Sequence, residues 1–195
     1  MGKSYDNEIV ESEVSMAIER VLIGPYTATW DPSTGKVDIS SPPANFVDLG
    51  AVVEDSPTLT VTKTKYQLEL GLPKALQYEA IIGVKGEMVV SVYGKSNIIA
   101  EYASGTDAVT IGTFGNRVAY GRTTINKFAI LGVADFVDGT QVVHYFQKVS
   151  VKPDYVEAIK PDQVGIMALG FDCYSQISTI HGSERIVGER VYFEA

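Results

Sequence analysis

Residues Pro57 to Pro73, PTLTVTKTKYQLELGLP, have the composition of one long β-strand, yet the apolar side of that strand changes halfway. Leu59 and Val61 are apolar at odd positions, whereas Tyr66, Leu68 and Leu70 are apolar at even ones. Between them Thr62-Lys63-Thr64-Lys65 carries no apolar side chain. Strand side chains alternate between faces with period two, so a change of parity exchanges the buried face for the exposed one. Two explanations stand open. The strand contains a bulge or twist within an ordinary sheet, or the outer part of a ribbon leaves its own core and buries its apolar side against another subunit.

Outward from this stretch, strand signals dominate. Val21–Trp30, Thr58–Glu69, Glu79–Tyr93, Lys127–Val137, Gln141–Val151, Gln163–Ser175 and Arg185–Phe193 are rich in Val, Ile, Thr, Tyr and Phe. Alternation places Ile82, Val84, Met88, Val90 and Val92 on one face. Phe128, Ile130, Ala134 and Phe136 form a second row, and Met167, Leu169, Phe171 and Cys173 a third. Asp138-Gly139 between two alternating runs predicts a hairpin over Lys127–Val151, with Gly139 at positive φ.

Helix is scarce. Ser96 is a suitable N-cap for a short helix over Asn97–Ala103. Glu8–Ile18 reads as an N-terminal helix or an arm spanning residues 1–18. Residues 31–57 hold four prolines and two glycines with scattered apolar side chains, and so long a connection is usually functional or mobile. No repeat, low-complexity tract or linker divides the chain. The expectation is a single domain over residues 1–195, mainly antiparallel β, sandwich- or barrel-like, with one short flanking helix and a long extended loop or hairpin.

The chain has 195 residues and a formal net charge of −8. At this size it buries enough surface to fold without staples. It has no apolar run of membrane-spanning length, and its polar, acidic N-terminus does not read as a signal peptide. A single cysteine, Cys173, excludes an internal disulfide and fits a reducing compartment. No cluster of Lys and Arg occurs along the chain; Lys63 and Lys65 are the densest pair. Proteins that grip phosphate backbones need such cations, so the sequence argues against nucleic-acid binding.

Chemistry-bearing motifs are missing too. Gly94-Lys95-Ser96 resembles the end of a phosphate-binding loop, but that loop needs glycine where Val89 stands. The glycines of Gly112–Gly121 are wrongly spaced for a dinucleotide turn. His144, His181 and Cys173 have no short ligand spacing for zinc. No catalytic, metal or cofactor site is expected.

The order of the pieces resembles the tail tube proteins of tailed phages, which share a fold with the tubes of type VI secretion. The likeness is carried by VLIGPYTATW, FVDLGAVVEDSPTLTVT, KYQLELGLP and EAIIGVKGEMVVSVYGKSNIIAEYASG, and by KFAILGVADF through VGIMALGFDCY in the C-terminal half. The resemblance implies a structural virion protein whose hexameric rings stack into a tube, the conduit for genome delivery. Its partners would be further copies of itself, the tail terminator, baseplate or tail-tip proteins and the tape measure protein. Genomic DNA would pass without specific binding, and the subunit would not enter a membrane. The protein would assemble in the host cytoplasm and reside in the virion tail. Residues 40–72 would form the arm between rings, through Leu59, Val61, Lys63, Lys65, Tyr66 and Leu68. Glu69, Glu87 and Asp135 would be the acidic residues facing the lumen. Two other functions fit the residues: a tail-completion or decoration protein of the same virion, and a β module that binds a small ligand or carbohydrate.

Overall fold

The computed structural model describes residues 4–15, 17–70, 75–93, 109–111, 115–117, 127–152, 156–158, 166–177 and 184–195. Its strands are β1 (Ser4–Ser15), β2 (Arg20–Pro25), β3 (Val47–Val52), β4 (Thr58–Leu70), β5 (Ala75–Tyr93), β6 (Val109–Ile111) and β7 (Gly115–Arg117). The later ones are β8 (Phe128–Asp135), β9 (Gln141–Val151), β10 (Val156–Ala158), β11 (Ile166–Tyr174), β12 (Gln176–Ile177), β13 (Arg185–Ile186) and β14 (Glu189–Phe193). The protein is mainly antiparallel β. Its principal sheet has the order β1-β4-β5-β3-β2-β8-β9-β11-β10, with β14 on β9. β11 also pairs with β5, so the hydrogen-bonded path through β5, β3, β2, β8, β9 and β11 returns to its start.

The side chains enclosed by that path form the main core. Met88, Val90 and Val92 of β5 meet Ile130 of β8, Phe146 and Val149 of β9, and Leu169, Phe171 and Cys173 of β11. Two of the expected apolar rows therefore supply it, although the side chain of Met167 lies outside the described residues. Each large apolar side chain removed from water here contributes roughly 1.5–3 kcal/mol. A second core lies on the other face of β2, β8 and β9, where Trp30, Val37 and Phe46 cover Leu22, Leu131, Val133 and Val143. This is why β8 is buried at all but its last residue and lacks period-two exposure.

The second core corrects the expectation for residues 31–57. The segment from Tyr26 to Phe46 is a packed cover. Gln141, 2 % exposed, fastens it. Its Oε1 accepts from the Val37 N–H at 2.7 Å, and its Nε2 donates to the Val37 carbonyl at 2.9 Å and to Asp135 Oδ1 at 2.7 Å. Beyond it, Val47–Val52 is a strand, β3. Glu8–Ile18 is not a helix either: Ser4–Ser15 is a strand paired along its whole length with β4. The helix expected at Asn97–Ala103 lies outside the described residues.

The hairpin at Asp138-Gly139 forms as expected, with β8 and β9 antiparallel and Gly139 at φ +85°. The Gly139 N–H donates to the Phe136 carbonyl and the Phe136 N–H to the Thr140 carbonyl. This is a turn closed by one left-handed glycine, and Asp138 does not share the positive φ that a two-residue loop would impose. Phe136 consequently lies past the strand and is exposed, outside the apolar row assigned to it.

Candidate assembly interface

β4 is an inner strand from end to end, with β1 on one edge and β5 on the other. In its first half Leu59 stands opposite Met88 and packs against the main core, and Val61 stands opposite Gly86. Register shifts between Thr64 and Lys65: Thr64 pairs with Gly83 but Lys65 with Ile81, leaving Ile82 as an extra residue on β5. The bulge therefore sits at the level where the apolar parity of β4 changes, and it resets β5 to match. Beyond it Tyr66 faces Ala80 across the ladder, and the rings of Tyr66 and Tyr78 meet edge to face at 6.4 Å. On the opposite face Lys65 Nζ lies 3.2 Å from Glu79 Oε1. A bulge thus accompanies the flip, on β5 and not on β4, and beyond it Tyr66 lies on the face of the ribbon opposite Lys65.

Beyond the bulge the ribbon consists of β1, β4 and the first part of β5. β11 pairs with β5 only from Lys85 onward, so among the described residues Ala75–Val84 have β4 alone as a neighbour. Tyr78, Ile81 and Ile82 are 55 %, 53 % and 59 % exposed, so three large apolar side chains of this short stretch stand in water, Tyr78 and Ile81 on opposite faces of the ribbon. These three residues are absent from the assignment made on sequence. Ile82 was expected on the face of Met88, Val90 and Val92, and it lies instead at the bulge, exposed.

The remaining assigned residues have separate surroundings. Lys63 is exposed opposite Val84. Leu68 and Glu69 lie in the outer part of β4, opposite Tyr78 and Leu76. Glu87 is not a free acid: its carboxylate accepts from Lys85 Nζ at 2.8 Å and Lys152 Nζ at 2.7 Å. Those two bonds hold its pKa down at about 2. Asp135 is exposed at the end of β8, and one of its oxygens is engaged by Gln141. The structure does not bring Glu69, Glu87 and Asp135 to one strand or one ladder position.

Two other groups read from the sequence have clear settings. His144 is 8 % exposed, opposite Gly132 and Arg190, and burial lowers its pKa to about 4. The Cys173 thiol is buried in the main core and pushed up to about 12, chiefly by that burial. His181 lies outside the described residues. A cleft of about 200 Å³ beside Trp30, Tyr145, Gln147 and Glu189 has the residue types of a sugar site. It is smaller than the roughly 300–1,000 Å³ usual for small-molecule sites. Trp30 is only 6 % exposed, with Tyr145 and Phe193 edge-on to its ring, so it offers no open stacking face. No helix among the described residues is long and apolar enough to cross a membrane. Comparison with known proteins adds no relative to these observations: no family model matches the chain, and no curated protein matches it.

Proposed function

We propose that the chain is a structural subunit that polymerises through its ribbon into stacked rings, forming the tail tube of a tailed phage. In this reading β5, β3, β2, β8, β9 and β11 close as a barrel-like body, and β1, β4 and the outer part of β5 are the arm that reaches the next ring. One observation carries it: beyond the bulge at Ile82 the ribbon exposes Tyr78, Ile81 and Ile82 and carries an unpaired strand edge among the described residues. Open edges and exposed apolar side chains promote association unless they are paired or covered. A ring-closing, head-to-tail contact pairs them in a fixed number and so ends in a defined assembly. A decoration protein would need only one such contact, whereas a tube needs contacts within and between rings.

Negative-stain electron microscopy and sedimentation of the purified full-length chain test the proposal. Rings or hollow tubes of constant diameter are expected. A species that stays monomeric at every concentration overturns it.

A further inference from the structure

Around the C-terminal end of β11 the fold gathers cations that are far apart in sequence. Lys127 Nζ sits 4.9 Å from the centre of the Tyr174 ring, and Lys148 Nζ 5.4 Å from that of Tyr26. Tyr26 is tied to Lys127 by its backbone N–H, which donates to the Lys127 carbonyl at 3.2 Å. The Tyr174 hydroxyl is fixed by the Ser150 hydroxyl at 3.1 Å. Lys85, Lys148, Tyr174, Ser175 and Asp172 line one concavity of about 360 Å³, within the size range of small-molecule sites.

The charges there do not cancel. Lys85 and Lys152 are shared between Glu87 and Asp172. Lys127 and Lys148 have no carboxylate partner among the described residues, so two positive charges remain over in a chain of net charge −8. A lysine over a tyrosine face gains from the ring quadrupole but keeps its ammonium donors. Tyr26 and Tyr174, 40 % and 36 % exposed, retain open ring surface beside them.

We infer that this concavity is a binding site for a phosphate-bearing ligand, with Lys127, Lys148 and Lys85 on the phosphate and the two tyrosines offering ring surface to an attached base. Lysine binds phosphate as a point charge and needs no bidentate geometry. Aromatic faces interleaved with cations are the elements by which proteins hold nucleotides and single strands. The inference is independent of the assembly reading, because it uses none of the ribbon's residues.

The same chemistry comes from free phosphate compounds or from a nucleic-acid strand, and three probes separate them: inorganic phosphate, thymidine monophosphate and a labelled single-stranded oligothymidylate. Saturable binding of at least one is expected at low salt. Lys127→Gln with Lys148→Gln should weaken it at least about tenfold. Lys127→Arg with Lys148→Arg should retain it, and the charge-matched control Lys63→Gln with Arg185→Gln should leave it within about twofold. For the oligonucleotide, two or three phosphate contacts predict a loss of roughly 7- to 20-fold between about 50 and 200 mM salt. Binding of the small phosphates alone assigns a small-molecule site, and binding of the strand alone a nucleic-acid site. The inference is overturned if no probe binds saturably, or if the glutamine pair at 127 and 148 binds as the control does while its melting temperature is unchanged.

Discussion

His144 illustrates how one buried side chain ties stability to pH. Burial, reinforced by the charge of Arg190, lowers its pKa from 6.5 to about 4 in the folded chain. The unfolded chain therefore takes up the proton first as pH falls. The stability tied to neutral His144 is fully present above about pH 6.5 and is lost between there and about pH 4, at up to about 1.4 kcal/mol per pH unit. The expected total is roughly 2–3 kcal/mol. Melting temperatures from pH 7 to pH 4 should fall less steeply in His144→Gln than in the parent; parallel curves would remove His144 as the cause. Glu87 acts in a separate window, because its depressed pKa withdraws support only as pH falls from about 4.5 toward 2. At Gly139, φ +85° is costly for any β-branched residue. Gly139→Val should lower stability by roughly 1–3 kcal/mol in chemical denaturation. An unchanged midpoint would mean that the turn adopts another form.

At the scale of elements, Gln141 fastens the Tyr26–Phe46 cover to the β8–β9 hairpin through both atoms of its amide. Gln141→Leu would leave the Val37 N–H and carbonyl buried without partners. Each such group costs roughly 1–3 kcal/mol. The variant should be destabilised by a few kcal/mol and should lose protection first at residues 30–46 in hydrogen exchange; uniform loss would show that the cover and the strands beneath it unfold together. Much of the element pattern was legible in the sequence, since period-two alternation marked β5, β8, β9 and β11 and Asp138-Gly139 marked their clearest turn. The cover was not legible. Its apolar residues Trp30, Val37 and Phe46 follow no period, because an irregular segment places side chains by its own turns. The strand at Ser4–Ser15 was missed because its identity depends on pairing with β4, a contact far away in sequence. The parity change in β4 was legible, but the bulge that accompanies it lies on β5 at Ile82, beside Gly83, and only the register with β4 fixes which residue is extra. The lysine–tyrosine concavity was hidden for the same reason of distance: its lining residues Lys85, Lys148 and Tyr174, and their neighbours Lys127 and Tyr26, are far apart along the chain.

For the whole molecule, the two proposals constrain each other. A bore through which DNA slides cannot carry unneutralised lysines, because each phosphate contact adds salt-sensitive affinity. In a tube, the end of β11 with Lys127 and Lys148 must therefore lie away from the bore or be covered by a neighbour. The ribbon supplies the last test. β4 is paired on both edges, so its inner half, Thr58 to Thr64, should be strongly protected from hydrogen exchange in the isolated subunit. Past the bulge the body no longer backs the ribbon, and local opening is easier where few apolar contacts hold a segment. Amides 65–70 and 75–82 should exchange faster in the subunit and become protected on assembly. Tyr78→Ser with Ile82→Ser would remove two exposed apolar side chains without touching the core, so the subunit should keep its melting temperature and lose assembly. If the variant assembles normally, or if amides 65–82 exchange at the same rate in subunit and assembly, the ribbon takes no part in the contact between copies.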